Sequence, residues 1–142
     1  MIAGGTGINV VSAQRTAQVD MRAPNMDAAN ELVARMQALE SSNPDVALEV
    51  EGGINRPPYE KDAGITALFE VAQEVAAEIG VELQDLKTGG GSDGNITAAL
   101  GVPTLDGLGL DGHGAHTDYE HMFYTSLEER VKLMLGMFER LR

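Results

Sequence analysis

The feature that most constrains this chain is a break near its middle, where Gly52, Gly53, Pro57 and Pro58 lie close together. Glycine widens backbone freedom, while proline fixes φ and removes a donor, so the stretch disfavours helix and strand alike. A boundary placed there divides the 142 residues into segments 1–58 and 59–142. A chain of this length suits one domain of ordinary size or two small ones, and should bury roughly 70% of its unfolded surface.

Before the break, Val10, Ala17, Val19 and Met21 alternate in part. This predicts two strands or a hairpin within Ile8–Ala23, turning at Ser12 to Arg15. From Asn25 the period changes: Ala29, Leu32, Val33, Met36 and Leu39 recur at three and four, on one helical face. Pro24 and Asn25 or Asp27 open that helix, and Ser41 to Pro44 end it. Val46, Leu48 and Val50 then alternate with Ala47, Glu49 and Glu51 as a half-buried strand. The expected order is β-β-α-β.

After the break, Ile65, Leu68, Phe69, Ala72, Val75, Ala76 and Ile79 form a broad apolar helical stripe, with Asp62 as a candidate N-cap and Gly80 as the stop. Val81–Leu86 reads as a short strand, and Gly89, Gly90 and Gly91 as a turn. Ser92 or Asp93 can cap a short helix running through Ala99 and Leu100. Val102–Leu105 reads as a buried strand, followed by a loop from Gly107 to His121. Ser126 with Glu129 forms a capping box for a last helix, expected to be buried through Leu127, Val131, Met134, Leu135, Phe138 and Leu141. The order α-β-α-β-α implies parallel crossovers in a layered α/β unit.

Charge narrows the partners. Ten Lys+Arg against 22 Asp+Glu give a net charge of -12, which opposes phosphate backbones and anionic lipid, so neither nucleic acid nor a membrane surface is expected. An aromatic content of 4% leaves little for base stacking. With no cysteine there is no disulfide, thiolate metal site or cysteine nucleophile, and a cytoplasmic location is favoured. The opening MIAGGTGINVV does not read as a secretory signal, and no apolar run approaches the ~20 residues of a membrane span.

Three groups of residues carry candidate chemistry. Gly89 to Gly94 follows a predicted strand and precedes a helix, where backbone N–H groups converge on an anion. It lacks the Lys-Ser/Thr pair of a phosphate loop, and the plainer reading is a glycine turn with a helix cap. His113, His116 and His121 lie near Asp111, Asp118 and Glu120; imidazole with carboxylate suits zinc, but the spacing fits no single-helix zinc motif, and solvated loop histidines are the alternative. Arg22 and Arg56 stand at the ends of predicted strands, where a guanidinium takes a carboxylate bidentately or forms a solvated surface pair. Ser92 lies in no nucleophile elbow.

The segments GGTGINVVSAQRTAQVDMRAP, GGINRPP, TGGGSDGNITAALGVPTLDGLG and GHGAHTDYEH together resemble the carboxy-terminal part of a family of zinc-dependent exopeptidases and deacylases. That family includes glutamate carboxypeptidase (carboxypeptidase G), acetylornithine deacetylase and succinyl-diaminopimelate desuccinylase. The resemblance implies an α/β fold, with residues 1–58 an α+β remnant of a lid and dimerisation domain and residues 59–142 the end of a layered catalytic domain. It implies a hydrolase cleaving the amide bond of an N-acyl amino acid or peptide with two zinc ions, and a homodimer or other self-association through the lid. His116 matches the carboxy-terminal metal ligand. Asn9, Arg22 and Arg56 match positions touching the substrate's carboxylate or scissile carbonyl, and Gly90 and Gly91 match the turn lining the pocket. His113 and His121 match no metal position.

The same resemblance marks departures. Ile8 stands where an arginine often precedes the asparagine, and Ser12 where a proline is usual. No residue here matches the family's general base or its other metal ligands, so the isolated chain is expected to be inactive. The expectation is a fragment of a longer enzyme, an incomplete gene product or a stand-alone module; the rival function is a non-catalytic oligomerisation or binding module.

Overall fold

In a computed structural model describing residues 1–142, the helices form where the apolar period is strongest. The elements are β1 (Ile2–Gly4), β2 (Arg15–Ala17), α1 (Met26–Gln37), α2 (Ala63–Glu78), α3 (Gly94–Ala99), β3 (Gly112–His113), β4 (His121–Met122), a 3₁₀ turn (Tyr124–Ser126) and α4 (Leu127–Arg140). The fold is mixed α and β, as expected, with two small antiparallel sheets, β1–β2 and β3–β4.

Local signals set the helix ends. Asn25 Oδ1 accepts from Ala28 N–H at 2.9 Å and Asp62 Oδ1 from Ile65 N–H at 2.7 Å, each occupying a donor that the first helical turn cannot satisfy. Gly80 ends α2 at φ 76. Val81 N–H reaches Ala76 C=O at 2.8 Å and Gly80 N–H reaches Ala77 C=O at 3.2 Å, the paired bonds of a left-handed helix stop.

The core lies between α2 and α4. Ala72, Val75, Ala76, Leu133 and Met137 are buried together, with Val81, Leu83, Leu105 and Leu108 packed against them half-buried. The small residues Ala72 and Ala76 let the helices approach closely, and a Cβ on Gly136 would collide with the Val75 side chain. Burying Val75 and Leu133 contributes about 1.5–3 kcal/mol each.

Four expectations are corrected. The hairpin exists, but Ile2↔Ala17 and Gly4↔Arg15 pair, so the turn is longer and earlier than Ser12 to Arg15. Val46–Val50, Val81–Leu86 and Val102–Leu105 run without ladder partners, and no parallel pair forms. Both faces of α4 carry apolar residues, and the Gly136 side fits α2. Leu133 and Met137 are therefore buried, while Leu127, Val131, Leu135, Phe138 and Leu141 stay exposed. Ser126 makes no cap bond. Its Oγ donates to Phe123 C=O at 2.8 Å and accepts from Asp111 N–H at 3.1 Å, tying the start of α4 to the loop before β3.

Candidate functional site

Two arginines from residues 1–58 meet one glycine turn from residues 59–142. Arg22, beyond β2, donates through Nη1 to the Gly89 carbonyl, while its Nη2 donates to Asp20 Oδ2 at 3.0 Å. Arg56 Nη1 stands 3.3 Å from Asp93 Oδ1, and its Cδ lies 3.3 Å from where a Cβ on Gly91 would be. A side chain at Gly91 would thus press on the arginine stem, which is one reason the turn is glycine-rich here. Both guanidinium-bearing side chains remain open to solvent, 61% exposed for Arg22 and 44% for Arg56.

Asn95 holds this junction together. Its Nδ2 donates to Pro57 C=O at 2.8 Å, fixing the backbone beside Arg56, and its Oδ1 accepts from Ser92 N–H at 2.9 Å. Ser92 Oγ in turn accepts from Gly94 N–H at 3.1 Å. Asp93 makes no cap bond to α3 and its carboxylate faces Arg56 instead. An exposed pair of this kind contributes at most about 1 kcal/mol, so another carboxylate can compete for the same guanidinium. Tyr59 sits just beyond. Partial burial, then the Asp106 charge, pushes its phenol above the usual range, so it remains a protonated donor at neutral pH.

Of the residues singled out in the sequence, Arg22, Arg56, Gly90 and Gly91 therefore share one neighbourhood. Asn9 does not join them by any hydrogen bond; it lies exposed in the β1–β2 loop, its Oδ1 beside Gly7. Asn95 and Tyr59 were not singled out. Asn95 carried one usable signal, its position three residues after Ser92 at a helix start, where an amide can bond back to the chain; Tyr59 carried none beyond its place after two prolines.

The histidines divide differently. His116 occupies the β3–β4 loop at φ 66, in the left-handed region that non-glycine residues rarely adopt. Its N–H donates to Glu120 Oε2 at 3.2 Å, and Thr117 Oγ1 donates to Gly114 C=O at 2.6 Å, so the loop is closed by its own side chains. His113 and His121 pair across the ladder and stack edge-on with Phe123 at ring-centroid distances of 5.0 and 5.6 Å. With Asp111 and Glu120 they line an open cleft of about 620 Å³. No three His, Asp or Glu side chains gather as a metal-binding group. The donors of this chain do not by themselves fit a zinc ion, which needs three or four protein ligands.

Residues 2–140 match the peptidase family M20/M25/M40. The chain belongs to that family. It is 34% identical over 122 residues to Carboxypeptidase G2 of Pseudomonas sp. (strain RS-16), a match covering 80% of this chain and 28% of that protein. It is 28% identical over 139 residues to Uncharacterized protein YqjE of Bacillus subtilis (strain 168), covering 96% of this chain and 37% of that protein. The chain thus spans about a third of the length of these relatives. No solved structure matches it. The family is one of peptidases, and the match names no substrate. No helix is long and apolar enough to cross a membrane.

Proposed function

We propose that this chain forms the carboxylate-recognising part of a glutamate carboxypeptidase-like hydrolase that cleaves the amide bond of an N-acyl amino acid or peptide. The observation that carries this reading is the convergence of Arg22 and Arg56 on Gly89–Gly91. Two exposed guanidinium groups beside a turn without side chains can hold a terminal carboxylate while leaving room for the rest of a small substrate. Asp93 already occupies Arg56 with a carboxylate, and a substrate carboxylate would take its place. Asn9 is the donor assigned to the carbonyl oxygen as charge develops there; it would have to be brought to the turn by movement of its loop.

Residues 1–58 serve in this reading as part of a lid and dimerisation domain, residues 59–142 as the end of the catalytic domain, and the enzyme works in the cytoplasm. Two zinc ions belong to the complete enzyme, with His116 as one ligand. The other ligands and the general base have no counterpart among these residues.

Binding tests the clamp directly. Titration of the chain with N-acetyl-glutamate should show weak binding that the corresponding diamide lacks. Arg56→Gln should weaken it about tenfold, roughly 1.4 kcal/mol, with the helical signal unchanged. Equal binding of acid and diamide, or indifference to Arg56→Gln, would sink the reading.

A second reading, a non-catalytic module that self-associates through the lid, is favoured by the β1–β2 hairpin. Ile2, Ile8, Val10, Val11 and Val19 are all exposed there beside an open strand edge. Sedimentation at micromolar concentration tests it, and a strictly monomeric chain would remove it.

A further inference from the structure

The two arginines beside the glycine turn are engaged unequally. Arg22 has three of its five N–H groups taken: Nε and Nη2 donate to Asp20 Oδ2 at 3.3 and 3.0 Å, and Nη1 donates to the Gly89 carbonyl. Its side-on fork, Nε with Nη2, therefore already holds a carboxylate. The Arg56 guanidinium has one polar contact, Nη1 to Asp93 Oδ1 at 3.3 Å, and its own Nε–Nη2 fork is free. A guanidinium takes a carboxylate best through two parallel N–H groups. The junction thus offers one fork, and so a place for one carboxylate.

Fixed negative charge surrounds that place. Asp93 stands at the N-cap position of α3 without making the cap bond, and its side chain is 91% exposed beside Arg56. Asp20 is held on Arg22. Asp106 lies against the turn from the other side, its Cβ 3.5 Å from where a Cβ on Gly94 would be. Its charge reaches Tyr59, whose phenol is pushed up by partial burial first and by Asp106 second. Lys87, two residues before the turn, is the nearest further cation in sequence, and a preference for a second acid would draw on it.

We infer that Asp93 is the specificity-determining residue of the clamp: it lets one ligand carboxylate onto Arg56 and disfavours a second, so the amino acid bound there carries a neutral or cationic side chain. The inference rests on the clamp reading and narrows it, from N-acyl amino acids in general to those with a single carboxylate. A ligand carboxylate that takes Arg56 displaces Asp93 from the guanidinium without removing it, because Asp93 is part of the turn itself. Two carboxylates then share one arginine. An acid on the ligand's side chain would be a third, with Arg22 already engaged by Asp20 and Gly89. Two unit charges ~7 Å apart in water shift an equilibrium about threefold. A cationic side chain gains by the same interaction, and a neutral one is indifferent to it.

Titration of the full chain with Nα-acetyl-lysine, Nα-acetyl-glutamine and Nα-acetyl-glutamate tests this, followed by the amide resonances of Gly89, Gly90 and Gly91. At an ionic strength of about 0.01 M, affinity should fall about threefold at each step in that order. Asp93→Asn keeps the side chain's size and removes its charge. It should bring the three affinities within about twofold of one another and tighten Nα-acetyl-glutamate most. Salt at about 0.5 M should compress the spread in the unaltered chain in the same way. Equal affinities in the unaltered chain, tighter binding of Nα-acetyl-glutamate, or a spread that survives Asp93→Asn would overturn the inference. So would an Asp93→Asn change that weakens all three alike, the mark of a purely structural role. The carboxamide of each probe keeps the two readings apart. If no acid binds better than its carboxamide, the clamp itself fails and this inference with it; if the acids do so without the stated order, the clamp stands and only the role of Asp93 falls.

Discussion

Residues 59–142 hold eight of the nine buried residues of the molecule, and residues 1–58 hold only Ala29. Yet α1 and α2 are equally well announced: each has an apolar stripe and an N-cap side chain that accepts from the third residue onward. The difference lies in what each meets. α2 packs along α4, whereas α1 touches no other helix or strand. Caps and periodicity suffice to shape a helix, but an isolated helix of this length is marginal in water, and stability comes from a second layer against its apolar face.

The largest effect expected of a single change tests that contrast directly. Leu133→Ala removes a fully buried side chain from the α2–α4 contact and should cost about 2–5 kcal/mol, read by urea denaturation followed by circular dichroism. Leu32→Ala, on the half-buried face of α1, should cost under about 1 kcal/mol, because that face has nothing comparable to lose. Equal costs would show that α1 belongs to the same cooperative unit as α2 and α4.

Next comes the close approach of the two helices. Gly136→Ala forces a Cβ against Val75 and should destabilise by about 1–3 kcal/mol, although alanine is the better helix former. Gly53→Ala meets nothing within 4 Å and should be nearly neutral. A stabilised Gly136→Ala would mean that the helices can separate freely, and the packed half would then be no firmer than the open one.

The caps give a finer comparison. Asp62→Ala and Asn25→Ala remove the same kind of bond, worth about 1 kcal/mol to the helix. Only Asp62→Ala should lower the midpoint of global unfolding; Asn25→Ala should merely raise amide exchange in the first turn of α1. A matching fall in midpoint for both would couple the two regions.

These contrasts also show what the sequence could disclose. Asn25, Asp62, Gly80 and the α2 stripe were legible because capping and helical periodicity are local. The hairpin was legible as a type and not as a register, since the glycines at 4, 5 and 7 let the turn begin earlier than the alternation suggests. The expected strands at Val46, Val81 and Val102 failed to form ladders because strand formation depends on a neighbour, which local pattern does not specify. Ser126 carried a capping-box spelling, but tertiary bonds to Asp111 and Phe123 took its hydroxyl. At the site, residue type offered Arg22 and Arg56 as candidates for a carboxylate clamp or for solvated surface pairs. Their shared glycine turn, and the Asn95 bridge to Pro57, join positions far apart in the chain and were beyond any reading of spacing.

The smallest expected effect concerns how far the packed region extends into its unpaired edge. Lys61 Nζ, 4.4 Å from the centre of the Phe69 ring, donates to Asp85 Oδ2 at 2.8 Å. It thereby ties the approach to α2 to the far end of the Val81–Leu86 segment. The hydrogen bond and then the charge of Lys61 hold the Asp85 carboxyl below its ordinary value. A carboxyl whose folded-state pKa is depressed stabilises the fold above its unfolded value, about pH 4, and loses that contribution as pH falls through the folded-state value. Melting temperatures of the chain and of Asp85→Asn should therefore differ slightly and constantly above about pH 5 and converge in stronger acid. Glu128 is lowered in the same direction by Lys132 and is present in both proteins, so it cancels from the comparison. Curves that coincide at every pH would show the Lys61–Asp85 bond to be a solvated pair that anchors nothing. The packed region would then end at Leu83, where the side chains last touch the core.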